Sequence, residues 1–197
     1  QKSQLGGGSP IIRGFSTNRL VISIDGVRLN NAIYRGGNIH NVISISPMTL
    51  QNIEVILGSE SVLYGSDAIG GVMNFYTKTP LLLKTSNKKI NSNISSRYSS
   101  AASEKMYHFD IAYSSKKISF LSSITQSSFG DLKMGSNGPT DYLRENYVVT
   151  SLDGEDVVVE NSDSKIQKFT AYKQLNLMQK IFYQPNENLK FDFGIHF

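Results

Sequence analysis

The sequence predicts two unlike parts in succession: a compact α+β block, then antiparallel β-strands of the kind that build a transmembrane barrel. Three observations carry that prediction. Short apolar runs punctuated by glycines occupy residues 11–78, and long strands with strict apolar/polar alternation occupy residues 88–197. Charged residues make up only 18% of the 197-residue chain, against roughly 25% in soluble domains. Ser, Asn and Thr supply the polarity instead, which suits walls with lipid on one side and a wet lumen on the other.

The elements follow in order. Residues 1–8 are polar and glycine-rich, an entry segment. Residues 21–29, VISIDGVRL, alternate around Asp25-Gly26. That dipeptide favours a two-residue type I′ turn, which needs positive φ at both central positions, with Ile24 and Val27 expected in the core. Residues 30–41, NNAIYRGGNIHN, form a loop. Residues 53–78 read IEVILGSESVLYGSDAIGGVMNFYTK. Two strands, 53–57 and 72–77, enclose a segment whose glycines 58, 65, 70 and 71 supply positive φ or close backbone approach. Ser59 is placed to cap one helical turn over 60–64. Pro80 ends the last strand of the block. The expected domains are therefore 1–79, a linker at 80–87, and strands over 88–197.

Five alternating strands are expected in that second part. On the first, Ile90, Ile94 and Tyr98 share a face opposite Asn91, Asn93, Ser95 and Arg97. On the next two, Tyr107, Phe109, Ile111 and Tyr113 oppose His108, Asp110 and Ser114, and Ile118, Phe120 and Ile124 oppose Ser119, Ser123 and Thr125. On the fourth, Leu175, Leu177, Ile181 and Tyr183 oppose Gln174, Asn176 and Lys180. On the fifth, Leu189, Phe191, Phe193, Ile195 and Phe197 oppose Lys190, Asp192, Gly194 and His196. A period of two puts each set on one face. Tight turns at 115–117 and 184–188 alternate with the long connection 129–165, as barrels place tight turns inside and long loops outside. A soluble β-sandwich also alternates, but aromatics gathered on the apolar face near strand ends favour membrane.

The wording of the first block resembles the plug domain of TonB-dependent outer-membrane receptors. The family pattern "I-E-V-x-R-G-P-x-S-x-x-Y-G-x-x-A-x-G-G-V-I-N" is matched by Ile53-Glu54-Val55, Gly58, Ser61, Tyr64-Gly65, Ala68, Gly70-Gly71-Val72 and Asn74. Upstream, residues 9–15, SPIIRGF, resemble the family's "P-x-I-R-G" strand, and residues 21–29 its "D-G-V-R" hairpin. The resemblance covers about residues 9–78. It implies a plug followed by the first strands of a 22-stranded barrel. Five strands cannot close such a barrel, and an open edge in lipid leaves backbone groups unsatisfied. A chain opening QKSQLGGGSP without Met is thus expected to be a fragment, with no signal peptide or TonB-engaging segment recognisable.

Several function classes are excluded or reduced. There is no cysteine, hence no disulfide framework or thiolate metal site. The net charge is +4, but no dense basic cluster suggests nucleic acid. No nucleophile–base arrangement is visible, and the three histidines lack metal-ligand spacing; an enzyme is not expected. The resemblance implies active transport of a metal chelate across a Gram-negative outer membrane by a monomer, without a required cofactor. The inner-membrane TonB complex would be its partner, through a segment outside this chain, and outer-membrane lipid its surroundings. A β-rich surface adhesion module is the alternative, with Lys173 the one charge that breaks an apolar strand face.

The resemblance places the substrate on the loop after the hairpin, at Tyr34, Arg35, Asn38 and His40. Haem receptors of the family present a histidine there as an iron ligand; an ordinary loop histidine is the competing reading of His40. Cobalamin receptors hold Ca²⁺ with acidic residues of an early loop, and 129–165 carries Asp131, Asp141, Glu145, Asp153, Glu155, Asp156, Glu160 and Asp163. A solvated acidic loop is the competing reading there. Haem, ferric siderophore and cobalamin all stay open. Family members pair two plug arginines with barrel carboxylates. Arg13 is retained, while Leu57 stands where the second is usual, so only Arg13 is expected to make such a pair.

Overall fold

The structure is a computed structural model. It describes residues 8, 10–16, 19–29 and 42–197. The strands in chain order are β1 (Ile11–Ile12), β2 (Phe15–Ser16), β3 (Leu20–Ile24), β4 (Val27–Arg28), β5 (Leu50–Ile56) and β6 (Gly71–Thr77), followed by β7 (Lys89–Ser99), β8 (Glu104–Ser114) and β9 (Ile118–Phe129). Then come the short β10 (Leu132–Lys133), β11 (Asn146–Thr150), β12 (Asp156–Glu160) and β13 (Ile166–Gln167), and the long β14 (Tyr172–Asn186) and β15 (Leu189–His196). All described helical turns are of the 3-10 type.

The first block is built on a four-stranded mixed sheet in the order β4-β3-β6-β5. Its centre is a parallel pair, with Leu20 opposite Gly71 and Ile24 opposite Phe75. Central strands are buried on both faces, and β3 accordingly reads as a continuous apolar run whose Leu20, Val21 and Ile22 are buried. One face packs Val21 and Val72 on Ala68; the other packs Ile22, Ile45 and Phe75, joined by Ile24, Leu29 and Val42.

The hairpin forms as the sequence predicts. Asp25 and Gly26 have φ of 50° and 83°, the type I′ signature. Val27 is a correction: it is 73% exposed rather than core. Its strand is a two-residue edge with both residues exposed, so alternation alone misplaces it. The turn expected over 60–64 is a 3-10 helix, Gly58–Tyr64. Ser61 closes it by donating to the Gly58 carbonyl at 2.7 Å.

Gly70 and Gly71 serve different ends. A Cβ on Gly70 would lie 2.4 Å from Phe15 Cβ and 2.8 Å from the Arg19 carbonyl oxygen. Gly71 has φ of 136° and sits against the Ile56 carbonyl and the Leu57 side chain.

The second part is a five-stranded antiparallel meander in the order β15-β14-β9-β8-β7. No helix among the described residues is long and apolar enough to cross a membrane. Continuous ladders fix the register, from Lys89 opposite Ser114 to Tyr172 opposite Phe129. The faces divide as their period requires. On the face turned to the first block, His108, Asp110, Ser119, Ser123, Thr125 and Lys180 are each 7% exposed or less. On the other, Phe109, Ile124, Leu177, Phe191, Phe193 and Ile195 are 39–53% exposed. Aromatic pairs line the tight-turn end of that outer face: Tyr113 stacks on Phe120 and Tyr183 on Phe191. The inner face is not purely polar. Met106, Leu121, Met178 and Phe182 are buried there, an apolar set that alternation did not assign.

The connection 129–165 is more ordered than a solvated loop. β11 and β12 form a five-pair hairpin, Asn146 opposite Glu160 to Thr150 opposite Asp156. β10 and β13 clasp its base. Valines on the hairpin make it a ladder despite the acids around them.

Two outcomes test this packing. Gly70→Ala should cost about 1–3 kcal/mol from overpacking, read as a lowered denaturation midpoint of the full-length protein. Phe193→Arg should hinder assembly by about 2–4 kcal/mol if it lies near mid-bilayer, while Phe193→Leu should be tolerated. Equal insertion of both variants would show that this face does not meet lipid.

Candidate functional site

The substrate residues expected from the sequence, Tyr34, Arg35, Asn38 and His40, lie outside the described residues. The described residues that flank them are well placed: Leu29 and Val42 pack against the same apolar cluster around Ile22, Ile45 and Phe75. Arg13 lies on the exposed turn between β1 and β2 with φ of 49°. No carboxylate pairs with it among the described residues.

What the structure does assemble is a charged seam between the mixed sheet and the five-stranded wall. The first cluster centres on Asp25. Its backbone is open at the hairpin turn, but its side chain is only 25% exposed. Thr77 of the neighbouring strand donates its backbone N–H to Oδ1 at 2.9 Å and its hydroxyl to Oδ2 at 2.7 Å. From the wall, Lys180 Nζ reaches Oδ2 at 2.9 Å and His196 Nε2 at 3.3 Å. Lys180 is 7% exposed, and a buried ammonium without a counter-charge is costly. Gly194 is opposite Lys180 in the ladder. A Cβ there would meet Lys180 Cγ at 3.8 Å and His196 Nε2 at 3.9 Å, ordinary van der Waals contact beside the cluster.

The second cluster has the opposite polarity. Lys78, just past the end of β6, reaches Asp110 Oδ2 of the wall at 2.9 Å. Asn93 donates to Asp110 Oδ1 at 2.8 Å, and His108 Nε2 lies 3.0 Å from Oδ2. His108 Nδ1 is 2.8 Å from Thr125 Oγ1, to which Ser46 donates at 3.2 Å. The chain closes if His108 donates through Nε2 and accepts at Nδ1. A further seam contact runs from Asn176 Nδ2 to the Ser44 carbonyl at 2.7 Å.

Sequence reasoning placed His108, Asp110, Lys180 and His196 on the polar face but gave none of them a partner. Asp25 was read only as a turn residue. No sequence signal links residues 155 positions apart; only the fold brings Asp25 to Lys180.

The acids of 129–165 do not gather. Asp131 accepts from the Thr170 and Ala171 amides, both at 3.0 Å. Asp163 accepts from Lys165 N and pairs with Lys133 at 3.2 Å, contacts that hold its carboxyl below the ordinary carboxylate range. Asp156 accepts from the Thr150 hydroxyl. Among the described residues no three His, Asp or Glu side chains lie together as a metal site.

Burial works to raise the Asp25 carboxyl, but hydrogen bonds from Thr77 and Lys180 outweigh it and hold it below its ordinary value of 3.8. The sign follows: a depressed carboxylate contributes stability above its unfolded value and loses it as pH falls through the folded one. Lys180, Asp192 and Arg28 are the other charged groups around it, and His196 is a titratable one. Protease protection of the seam should therefore hold at pH 5 and fade below about pH 4. Asp25→Asn should weaken it at pH 5 and flatten the acid response.

Comparison with known proteins agrees with this architecture. Residues 1–72 match the family model of the TonB-dependent receptor plug domain. The vitamin B12 transporter BtuB of Vibrio vulnificus is 44% identical over 79 residues, covering 38% of this chain and 12% of that protein. The heme/hemopexin utilization protein C of Haemophilus influenzae is 41% identical over 92 residues, covering 47% of this chain and 12% of that protein. The chain thus spans about an eighth of the length of these relatives. The siderophore receptor PirA of Pseudomonas aeruginosa superimposes on 95% of this chain and 28% of its own, with a TM-score of 0.53 and 18% identity, a likeness of fold.

Proposed function

We propose that this chain is a plug-and-wall portion of a TonB-dependent receptor, and that the whole receptor actively imports a metal chelate across a Gram-negative outer membrane. The observation that carries the reading is the seam. A folded sheet lies against the inner face of barrel-type strands through charged and hydrogen-bonding groups, while the outer face is apolar with aromatics at its end. A body fastened mainly by polar contacts can be held firmly and still be displaced in a wet lumen. A surface adhesion module has no use for such a seam and is not favoured.

On this reading residues 1–79 form the later part of the plug, 80–87 the linker and 88–197 the first wall strands. The TonB complex supplies the displacing pull from the inner membrane. Substrate meets the loop between Leu29 and Val42, where Tyr34, Arg35, Asn38 and His40 offer an aromatic face, a cation, an amide and an imidazole. Arg13 awaits a carboxylate elsewhere in the receptor. Those groups suit haem or a ferric siderophore. An imidazole ligates haem iron, an aromatic ring covers a macrocycle, and a guanidinium pairs with a propionate. Cobalamin is the third candidate, since BtuB is named for its transport.

The test is a binding and uptake screen of the full-length receptor against haem, ferric siderophores and cobalamin. If haem is the cargo, His40→Ala should weaken binding and shift the Soret band. Siderophore or cobalamin uptake with no haem binding would remove the role of His40 and keep the receptor. Uptake of none of the three, with the TonB system intact, would overturn the metal-chelate assignment.

A further inference from the structure

The two charged clusters of the seam are unequal in position, and their chemistry gives them different work. Both stand at the same end of the central parallel pair, because Asp25 follows β3 and Lys78 follows β6. Thr77 joins them: it binds Asp25 through its backbone and hydroxyl and precedes Lys78 in the chain. Their polarity is crossed. The plug offers an acid to Lys180 and His196, and a base to Asp110. A plug turned or slid along the wall would set like charges against each other, so the pairs fix one seating. Between them the inner face of β9 presents the hydroxyls of Ser119 and Ser123, buried without a protein partner among the described residues. The seam between the clusters thus mixes these hydroxyls with the buried Leu121 that lies between them on β9.

Covalent position separates the two. Lys78 lies 11 residues before the wall strand that begins at Lys89, so its end of the plug is tethered close to the wall whatever its side chain does. Asp25, 52 positions before Thr77 in the chain, has no covalent link of its own to the wall; hydrogen bonds from Thr77 and to the Phe75 carbonyl join it to the end of β6. Among the described residues its direct fastening to the wall is through Lys180 and His196.

We propose that the Asp25–Lys180–His196 cluster is the release latch of the plug, and that the Lys78–Asp110–His108 cluster is a fixed anchor about which the freed part moves. The role of the latch rests on the transport reading above. Its members are positioning residues, which hold or free the plug and touch no substrate. Asp25→Asn keeps one oxygen to accept from the Thr77 amide and puts an NH2 donor in place of Oδ2, the acceptor of the Thr77 hydroxyl and of Lys180, so the backbone contact of the turn survives while the latch opens.

The experiment is hydrogen exchange on the full-length receptor in detergent, combined with TonB-dependent uptake of whichever chelate the wild type takes. Asp25→Asn should speed exchange at residues 20–24 about tenfold, and Lys180→Asp should do so at least as much. The double variant Asp25→Lys with Lys180→Asp, which restores an ion pair of reversed sense, should return exchange to within about threefold of wild type and recover uptake. Lys78→Met should leave exchange at residues 20–24 within about threefold. Unchanged exchange in Asp25→Asn, or a reversed pair no better than either single variant, would overturn the latch. Loosening of residues 20–24 by Lys78→Met equal to that by Asp25→Asn would overturn the division of roles. A wild type that imports no chelate would instead sink the transport reading, while the exchange results would still decide whether Asp25 fastens the plug.

Discussion

The buried ammonium of Lys180 is the constraint on which the arrangement turns. At 7% exposure it needs a fixed counter-charge, and its directly opposite ladder neighbours, Leu121 and Gly194, supply none. The counter-charge comes from the other part of the molecule, on the turn of a hairpin. Positive φ at Asp25 and Gly26 lets that turn be only two residues long. A tight turn presents the carboxylate at a defined height against the wall, and Thr77 orients both of its oxygens. Thus one two-residue turn determines where the mixed sheet sits on the five-stranded one.

The same logic governs the wall itself. Its strands carry two surfaces with opposite demands, and the ladder register decides which residue meets which. Asp110 can serve Lys78, Asn93 and His108 together because β7 and β8 pair with Asn93 directly opposite Asp110. A one-residue slip would turn His108, Asp110 and Thr125 outward and bring Phe109 and Ile124 in. Register is therefore set by the seam as much as by the apolar face.

Much of this fold was legible in the sequence because its signals are local. Alternation, the Asp-Gly turn and the glycine spacing each act within a few residues, and they marked the five long strands, the hairpin and the block around residues 53–78. What escaped depended on neighbours distant in sequence. Met178 looks like an exception to alternation until it is seen to share a cavity wall with Ile24, Leu29, Ile45 and Thr77 of the first block. Val27 looks like core until β4 proves to be a two-residue edge. The hairpin of β11 and β12 was hidden by its acids, which mark a solvated segment but do not oppose a valine ladder. The charged clusters were wholly invisible as clusters: each member was an ordinary polar residue of its own element. The substrate residues were reached through family resemblance alone, and they lie outside the described residues.

The parallel pairing of β3 and β6 has a mechanical consequence. In a parallel pair, tension between the start of one strand and the end of the other runs along both strands, across evenly spaced slanted hydrogen bonds. A load entering at Leu20 and leaving through Thr77 toward the wall would stress all five paired positions from Leu20–Gly71 to Ile24–Phe75 together, in shear. The β3–β4 hairpin, joined through two antiparallel pairs, would instead open one pair at a time. The sheet is therefore stiff along the line that connects the upstream chain to the wall and compliant across it.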